Sequence, residues 1–366
     1  MEELHGAFEN ENIEQNADAD YYYSRYRAAL HARRKSEKPA RMAIGRLCAL
    51  VIVQNALALL LQAGVLSALR LFSGSMSRGR YQQIVDTLFS YETVAGLVFV
   101  SALYTLCLFI PFAVYAAARR RHAPSVGIFA HPAVSFNKIS PLPLATAFFI
   151  SLGAGVLAKW GNTIIMSILG ELGITPPSPD LSWPASPVAQ LLLVVSIAAL
   201  PALIEEFGYR GVALGELVGF NPRAAIVFSS LLFALMHSNI AQFFYAFVIG
   251  VFIAYFVLRF RSVWVGVAVH FGFNLYGAVL PLLLGYNSPD ANQLKLGLMI
   301  ILLDTGIIFV GSLFLALMLV KYRGGLPQPQ SDAVSSRRFA ALVLTSPVFY
   351  VLLAVTAVIT VMNTAV

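Results

Sequence analysis

Nine apolar runs, near residues 42–72, 92–118, 141–170, 188–218, 223–238, 240–258, 262–284, 297–320 and 340–361, alternate with short polar connections along the chain. Runs of this length, without the two-residue alternation of barrel strands, predict helices that cross a bilayer. The pattern therefore predicts an all-α, polytopic membrane helical bundle of about eight to nine transmembrane helices. The run at 223–238 is short for a hydrocarbon core of roughly 30 Å: a full crossing would end His237 near the outer surface, away from Glu205, a short, tilted or re-entrant segment would bring the two to one depth, and the sequence does not choose between them. Four regions follow: a polar, partly disordered tail over 1–41, transmembrane helices over 42–170, a central block over 188–284, and C-terminal transmembrane helices over 285–366.

Composition and charge sharpen this reading. Of the 366 residues, 58% are hydrophobic and only 12% charged, about half the charge of a soluble domain, which excludes that class. The net charge of +7 does not imply a nucleic-acid partner, because the basic residues flank the apolar runs, where they set orientation. Arg119 and Lys138, Arg259 and Arg261, and Lys321, Arg337 and Arg338 fall in alternate connections, whereas residues 171–187 hold no Lys or Arg and several prolines. The expected arrangement is a cytoplasmic N-terminal tail whose basic half meets anionic lipid, and a C-terminus outside, in a bacterial plasma membrane. Arg78, Arg80 and Lys295 run against that assignment. Cys48 and Cys107 lie in apolar runs without paired spacing and read as packing residues.

The central block carries chemistry. After the uncharged run 188–203 come Glu205, Glu206 and Arg210, and ionisable groups at bilayer depth need partners and usually a purpose. Glu206 and Arg210 are four apart on one helical face, acid before base, which favours a pair. Glu205 lies about 100° round the helix, without that cation, and is the carboxylate free to act as a base. Four of the six histidines, His5, His31, His122 and His131, lie in the tail or polar loops. The others, His237 and His270, stand in apolar sequence with companions at helical spacing, Phe233 and Asn274. One such histidine reads as a packing residue. Two of them, with an Asn and an unpaired Glu, read as a site. Lys159, beside Trp160, and Asp304 read as architecture, with Lys159 or backbone as the partner expected for Asp304, and Pro201 is expected to kink the helix at the site.

Taken in order, Glu205-Glu206-x-x-x-Arg210, Phe233-x-x-x-His237 and His270-x-x-x-Asn274 resemble the three motifs of the CPBP family of intramembrane proteases, which includes the prenyl-protein (C-a-a-X) endopeptidases and bacteriocin-immunity homologues. The resemblance covers roughly residues 188–284 and implies a metal-independent, glutamate-dependent endopeptidase without a cofactor. In it Glu205 and His237 activate a water, His270 and Asn274 hold the oxyanion, and Glu206 with Arg210 orients Glu205. The implied partners are membrane lipid and a peptide or membrane-protein substrate. Three other readings stay open. One Glu and two His are also a ligand set of the kind that holds catalytic zinc, although no His-Glu-x-x-His helix is present. A non-catalytic immunity or scaffold protein would keep the cluster as structure, and a transporter would use it as a proton relay, although no internal repeat is evident.

Overall fold

Where water is absent, backbone N–H and C=O groups must be satisfied within the segment, and a helix does so without a neighbour. The computed structural model describes residues 2–122, 137–174, 181–285, 292–321 and 334–364, with residues 2–36 as backbone alone. Every regular element among them is helical. In chain order these are α1 (Glu2–Phe72), α2 (Arg78–Leu88), α3 (Val94–His122) and α4 (Pro141–Glu171). Then come α5 (Pro187–Leu217), α6 (Pro222–Met236), α7 (Ile240–Phe260) and α8 (Val263–Leu283). The chain closes with α9 (Gln293–Lys321), α10 (Ser336–Leu344) and α11 (Pro347–Thr364). The side chains of His5, His31 and His122, all of His131, and residues 175–180 of the proline-rich connection lie outside the described residues.

Seven of these helices are long and apolar enough to cross a membrane, and an eighth crossing is made if α10 and α11, bent by 64° at their junction, act as one. The protein is an integral membrane helical bundle. The apolar run at 223–238 gives α6, whose 15 residues span only about 22 Å, short of the roughly 30 Å a crossing needs. The helix α2 did not register as an apolar run because it buries no side chain.

The core gathers around α5. Ile44 and Leu47 of α1, Phe112 of α3, Tyr209 of α5, Phe233 of α6 and Val257 of α7 belong to one buried cluster. The ninth helix packs on the edge of this cluster through Ile307, Ile308, Phe314 and Met318, against α4. Gly153 and Gly311 meet where a Cβ on Gly311 would fall 2.7 Å from the Phe149 carbonyl, Phe149 stacks on Phe314, and Trp160 Nε1 donates to Asp304 Oδ2 at 2.6 Å. The successive contacts 149 with 314, 153 with 311 and 160 with 304 make the two helices antiparallel. They also correct the expectation for Asp304: its partner is the indole of Trp160, while Lys159 Nζ sits 5.1 Å over the Tyr276 ring.

Polar clamps tie the elements at one end. Buried Glu216, at the close of α5, takes Arg46 of α1 at 2.8 Å and Arg119 of α3 at 2.9 Å. Glu37 takes both Nε and Nη2 of Arg338 at 2.8 Å. Asn221 caps α6 and donates to the Val334 carbonyl at 3.0 Å, and Asn137, ahead of α4, donates to the Arg261 carbonyl that closes α7.

Candidate active site

The middle of α5 departs from regular winding. Residues Val195–Ala199 and Glu206–Leu214 form wide turns, and Leu275–Val279 does the same in α8. Two of the three wide turns precede a proline, Pro201 or Pro281, whose missing N–H and ring bulk force the preceding turn open. Wide turns of this kind push side chains out of the regular helical register and recur at functional sites.

Glu205, Glu206 and Arg210 project from this distorted stretch and are at most 4% exposed. Glu206 Oε1 accepts from Arg210 Nη1 at 2.8 Å and from His270 Nδ1 at 3.0 Å. Arg210 also donates from Nη2 to the Gly250 carbonyl at 3.3 Å, and its guanidinium lies 4.4 Å from the centre of the Phe233 ring. The α8 backbone approaches Glu206 so closely that a Cβ at Gly266 would collide with its Oε2. Arg210 thus serves as the counter-ion of Glu206, while its Nε and Glu206 Oε2 are buried without hydrogen-bond partners. Glu206 spends its charge on Arg210 and on holding one edge of the His270 ring.

Glu205 is held differently. Its Oε1 accepts from the hydroxyl of Tyr104 on α3, while its buried Oε2 has no hydrogen-bond partner and stands 3.8 Å from His270 Nε2. His237, at the end of α6, places Nδ1 2.9 Å from the Phe233 carbonyl. A carbonyl only accepts, so Nδ1 carries the proton and neutral His237 keeps its lone pair on Nε2. The Phe233 ring touches both imidazoles edge to face, at 5.2 Å from His237 and 5.6 Å from His270. Asn274 is half-buried one turn beyond His270.

Two cavities meet at this point. One of about 470 Å³ opens between α1 and α3 and is lined by Gln54, Asn55, Gln62, Tyr104 and Cys107. The other, of about 420 Å³, lies against α7 and α8 and is lined by Tyr245, His270, Phe273 and Asn274, with Pro201 and Pro281 at its wall. Glu205, His237, Tyr91 and Gln242 border both. Burial raises the Tyr91 phenol above its ordinary value, so it presents a neutral hydroxyl there. The short α6 ends just before His237, which borders the same cavities as Glu205. A helix that turned back only after a full crossing would have carried His237 beyond Glu205, whereas this one ends beside it.

The structure thus brings Glu205, Glu206, Arg210, His237, His270 and Asn274 to one region, with one change in the expected division of labour. The Glu206–Arg210 pair holds His270, and the group that fixes Glu205 is Tyr104. Neither Tyr104 nor the polar set Gln54, Tyr91 and Gln242 stood out in the sequence, where a tyrosine or glutamine inside or beside an apolar run carries no mark of its own. Gln54 accepts from the Tyr209 hydroxyl at 3.0 Å. Among the described residues, no group of three or more His, Cys, Asp and Glu side chains is placed to hold a metal ion.

Residues 187–276 match the family model described as Type II CAAX prenyl endopeptidase Rce1-like. The match covers the three motifs and the elements α5 to α7 with most of α8, and agrees with the resemblance drawn from the motifs. No curated protein and no solved structure matches the chain.

Proposed function

We propose that this protein is an intramembrane endopeptidase that hydrolyses a peptide bond with a water activated by Glu205 and His237. Glu205 Oε2 takes a proton from the water as its oxygen attacks the peptide carbonyl carbon, and His237 Nε2 accepts the second hydrogen bond of that water and fixes its direction. Charge then develops on the carbonyl oxygen, where the Asn274 amide and His270 Nε2 donate hydrogen bonds. Glu206 holds the His270 ring at Nδ1. The proton held by Glu205 passes to the leaving nitrogen as the C–N bond breaks. Tyr104 is a positioning residue: it occupies Oε1, so that only Oε2 faces the reaction.

The observation that carries this reading is Glu205, which borders both cavities together with His237 and whose buried Oε2, 3.8 Å from His270 Nε2, has no hydrogen-bond partner, a state it shares with Glu206 Oε2. A buried acceptor left unmatched costs about 1–3 kcal/mol, more when charged, and a water awaiting substrate is the partner that fits. The match to an endopeptidase family over the same residues supports the reaction class. The test compares membranes carrying the native protein with a Glu205→Gln variant, mapping peptide products by mass spectrometry. Loss of the general base should lower cleavage by about 10²- to 10⁴-fold without loss of folded protein, and His237→Ala should do the same. A fully active Glu205→Gln protein would return the cluster to a structural role, as in an immunity or scaffold protein.

A further inference from the structure

A further groove lies away from Glu205, on the flank of the bundle where α6 meets α10 and α11. The first two of these helices begin side by side: the Asn221 amide ahead of α6 donates to the Val334 carbonyl at 3.0 Å and to the Ser336 hydroxyl at 3.2 Å. From there Ala224, Val227 and Leu231 of α6 and Ala340, Val343 and Leu344 of α10 line a groove of about 370 Å³. Its floor is aromatic, with the Phe228 ring 6.0 Å from Phe339 and 6.1 Å from Phe349 of α11. Those three rings are buried, whereas Val227 and Leu344 on the rims are 52% and 59% exposed, so the groove is open to its surroundings.

Polarity is confined to one end. Arg223 and Ser336, in the first turns of α6 and α10, line the groove where it begins, and the other described residues along it are aliphatic or aromatic. Arg223 is exposed. A cation in the first turn of a helix meets the positive end of its dipole, which favours an anion there. In the first turn of α10, Glu37 supplies that anion to Arg338. The same end of the bundle gathers Arg46 and Arg119 on Glu216. In a bundle that crosses a bilayer, helix ends stand at the level of the headgroups, and the groove descends from there into the apolar layer.

Size and charge together select the occupant. Between residues 223 and 231 α6 rises about 12 Å, and packed helix axes lie about 10 Å apart. That footprint is a small fraction of the roughly 1,000 Å² a stable protein partner buries. A hydrocarbon chain with an anionic group at one end fits both the width and the one-ended charge. We propose that this groove binds an anionic phospholipid, with one acyl chain along Phe228 between α6 and α10 and the headgroup phosphate on Arg223. Bound there, the lipid bridges α6 to the C-terminal pair α10 and α11. The site is separate from the cavities at Glu205 and does not depend on the endopeptidase reading.

The test uses the full-length protein in neutral detergent and a phosphatidylglycerol probe with a photoreactive diazirine in its acyl chain. Labelled peptides, mapped by mass spectrometry, should come from α6 and α10. Unlabelled phosphatidylglycerol should compete for that label about fivefold better than phosphatidylcholine with the same chains, the advantage one Arg gives an anionic headgroup. Arg223→Gln should bring the two lipids to parity, and Arg223→Lys should keep the preference. Ala340→Trp, which fills the groove from an exposed position, should lower labelling altogether, with thermal unfolding of each variant unchanged. Labelling confined to other helices, equal competition in the native protein, or a preference that survives Arg223→Gln overturns the proposal. So does an Ala340→Cys protein that links two copies of the chain through a disulfide, which would make this face a dimer contact.

Discussion

The Tyr104 hydroxyl gives Glu205 one fixed oxygen and leaves the other buried without a hydrogen-bond partner. A hydrogen bond to a charged group is worth about 1.5–3 kcal/mol, so Tyr104→Phe should lower kcat by about 10- to 100-fold. In the proposed mechanism the phenol holds the base and not the peptide, so KM should stay near its native value. Steady-state kinetics on one peptide substrate separates the two parameters, and a change confined to KM would reassign Tyr104 to substrate binding. This residue also marks the limit of what a sequence discloses at this scale. Glu205, Glu206, Arg210, His237 and His270 announce themselves because each is an ionisable group in apolar sequence, and the spacing of Glu206 to Arg210 alone forecasts their 2.8 Å pair. Tyr104 lies 101 residues before its partner in an ordinary apolar run. Its role is created by the packing of α3 on α5, and so is the preference of Glu206 for His270 over its neighbour in sequence.

At the scale of the element, apolar periodicity forecasts helices well and their internal irregularities poorly. A wide turn leaves no mark in a continuous apolar run, and only the prolines at 201 and 281 hint at two of the three. Close approach is no more legible: Gly266 looks like any other glycine in α8 until its contact with Glu206 is seen. A Cβ there would collide with Glu206 Oε2, with the α8 backbone pressed on α5 and Arg210 locked behind it. Gly266→Ala should therefore cost about 1–3 kcal/mol as overpacking and, by displacing the carboxylate that holds His270, reduce activity more than stability. Gly297→Ala on α9 is the matched control, since nothing lies within 4 Å of its added Cβ. There the gain in helix propensity, up to about 1 kcal/mol, should leave the protein unchanged or slightly more stable. Thermal unfolding in detergent, read alongside peptide cleavage, distinguishes the two. Equal behaviour of the variants would remove the close approach at Gly266 from the account of the site. Arg210→Met probes the same cluster from the other side. Removing one member of a buried pair costs about 3–5 kcal/mol because the other charge is left uncompensated, so Glu206 should become the weak point of the fold and the variant should unfold in milder detergent than the native protein.

Across the whole molecule, the contacts sort the positive charges by end. Glu216 gathers Arg46 and Arg119, and Asn221, a few residues on, bonds the segment that begins α10, whose Arg338 returns to Glu37 on α1. The short hairpin of α6 and α7 brings Arg259 and Arg261 back toward the start of α6. Asn137 bonds the Arg261 carbonyl, and α9, antiparallel to α4, delivers Lys321 to the same end. The opposite end holds Arg70, Arg78, Arg80 and Lys295. By the bias of Lys and Arg toward the cytoplasm, the end carrying Glu216 should face inward, with the α1–α2 connection outside. Single cysteines decide this in a background where the buried Cys48 and Cys107 are replaced by Ala. An impermeant maleimide applied to intact cells should label Gly79→Cys, which is exposed in the first turn of α2. Arg337→Cys, exposed at the start of α10, should label only after the membrane is opened. The reverse pattern would invert the molecule. The cavity between α1 and α3, which opens toward the α2 end, would then draw its substrate from the cytoplasmic side, so the labelling also decides which compartment supplies the peptide to Glu205.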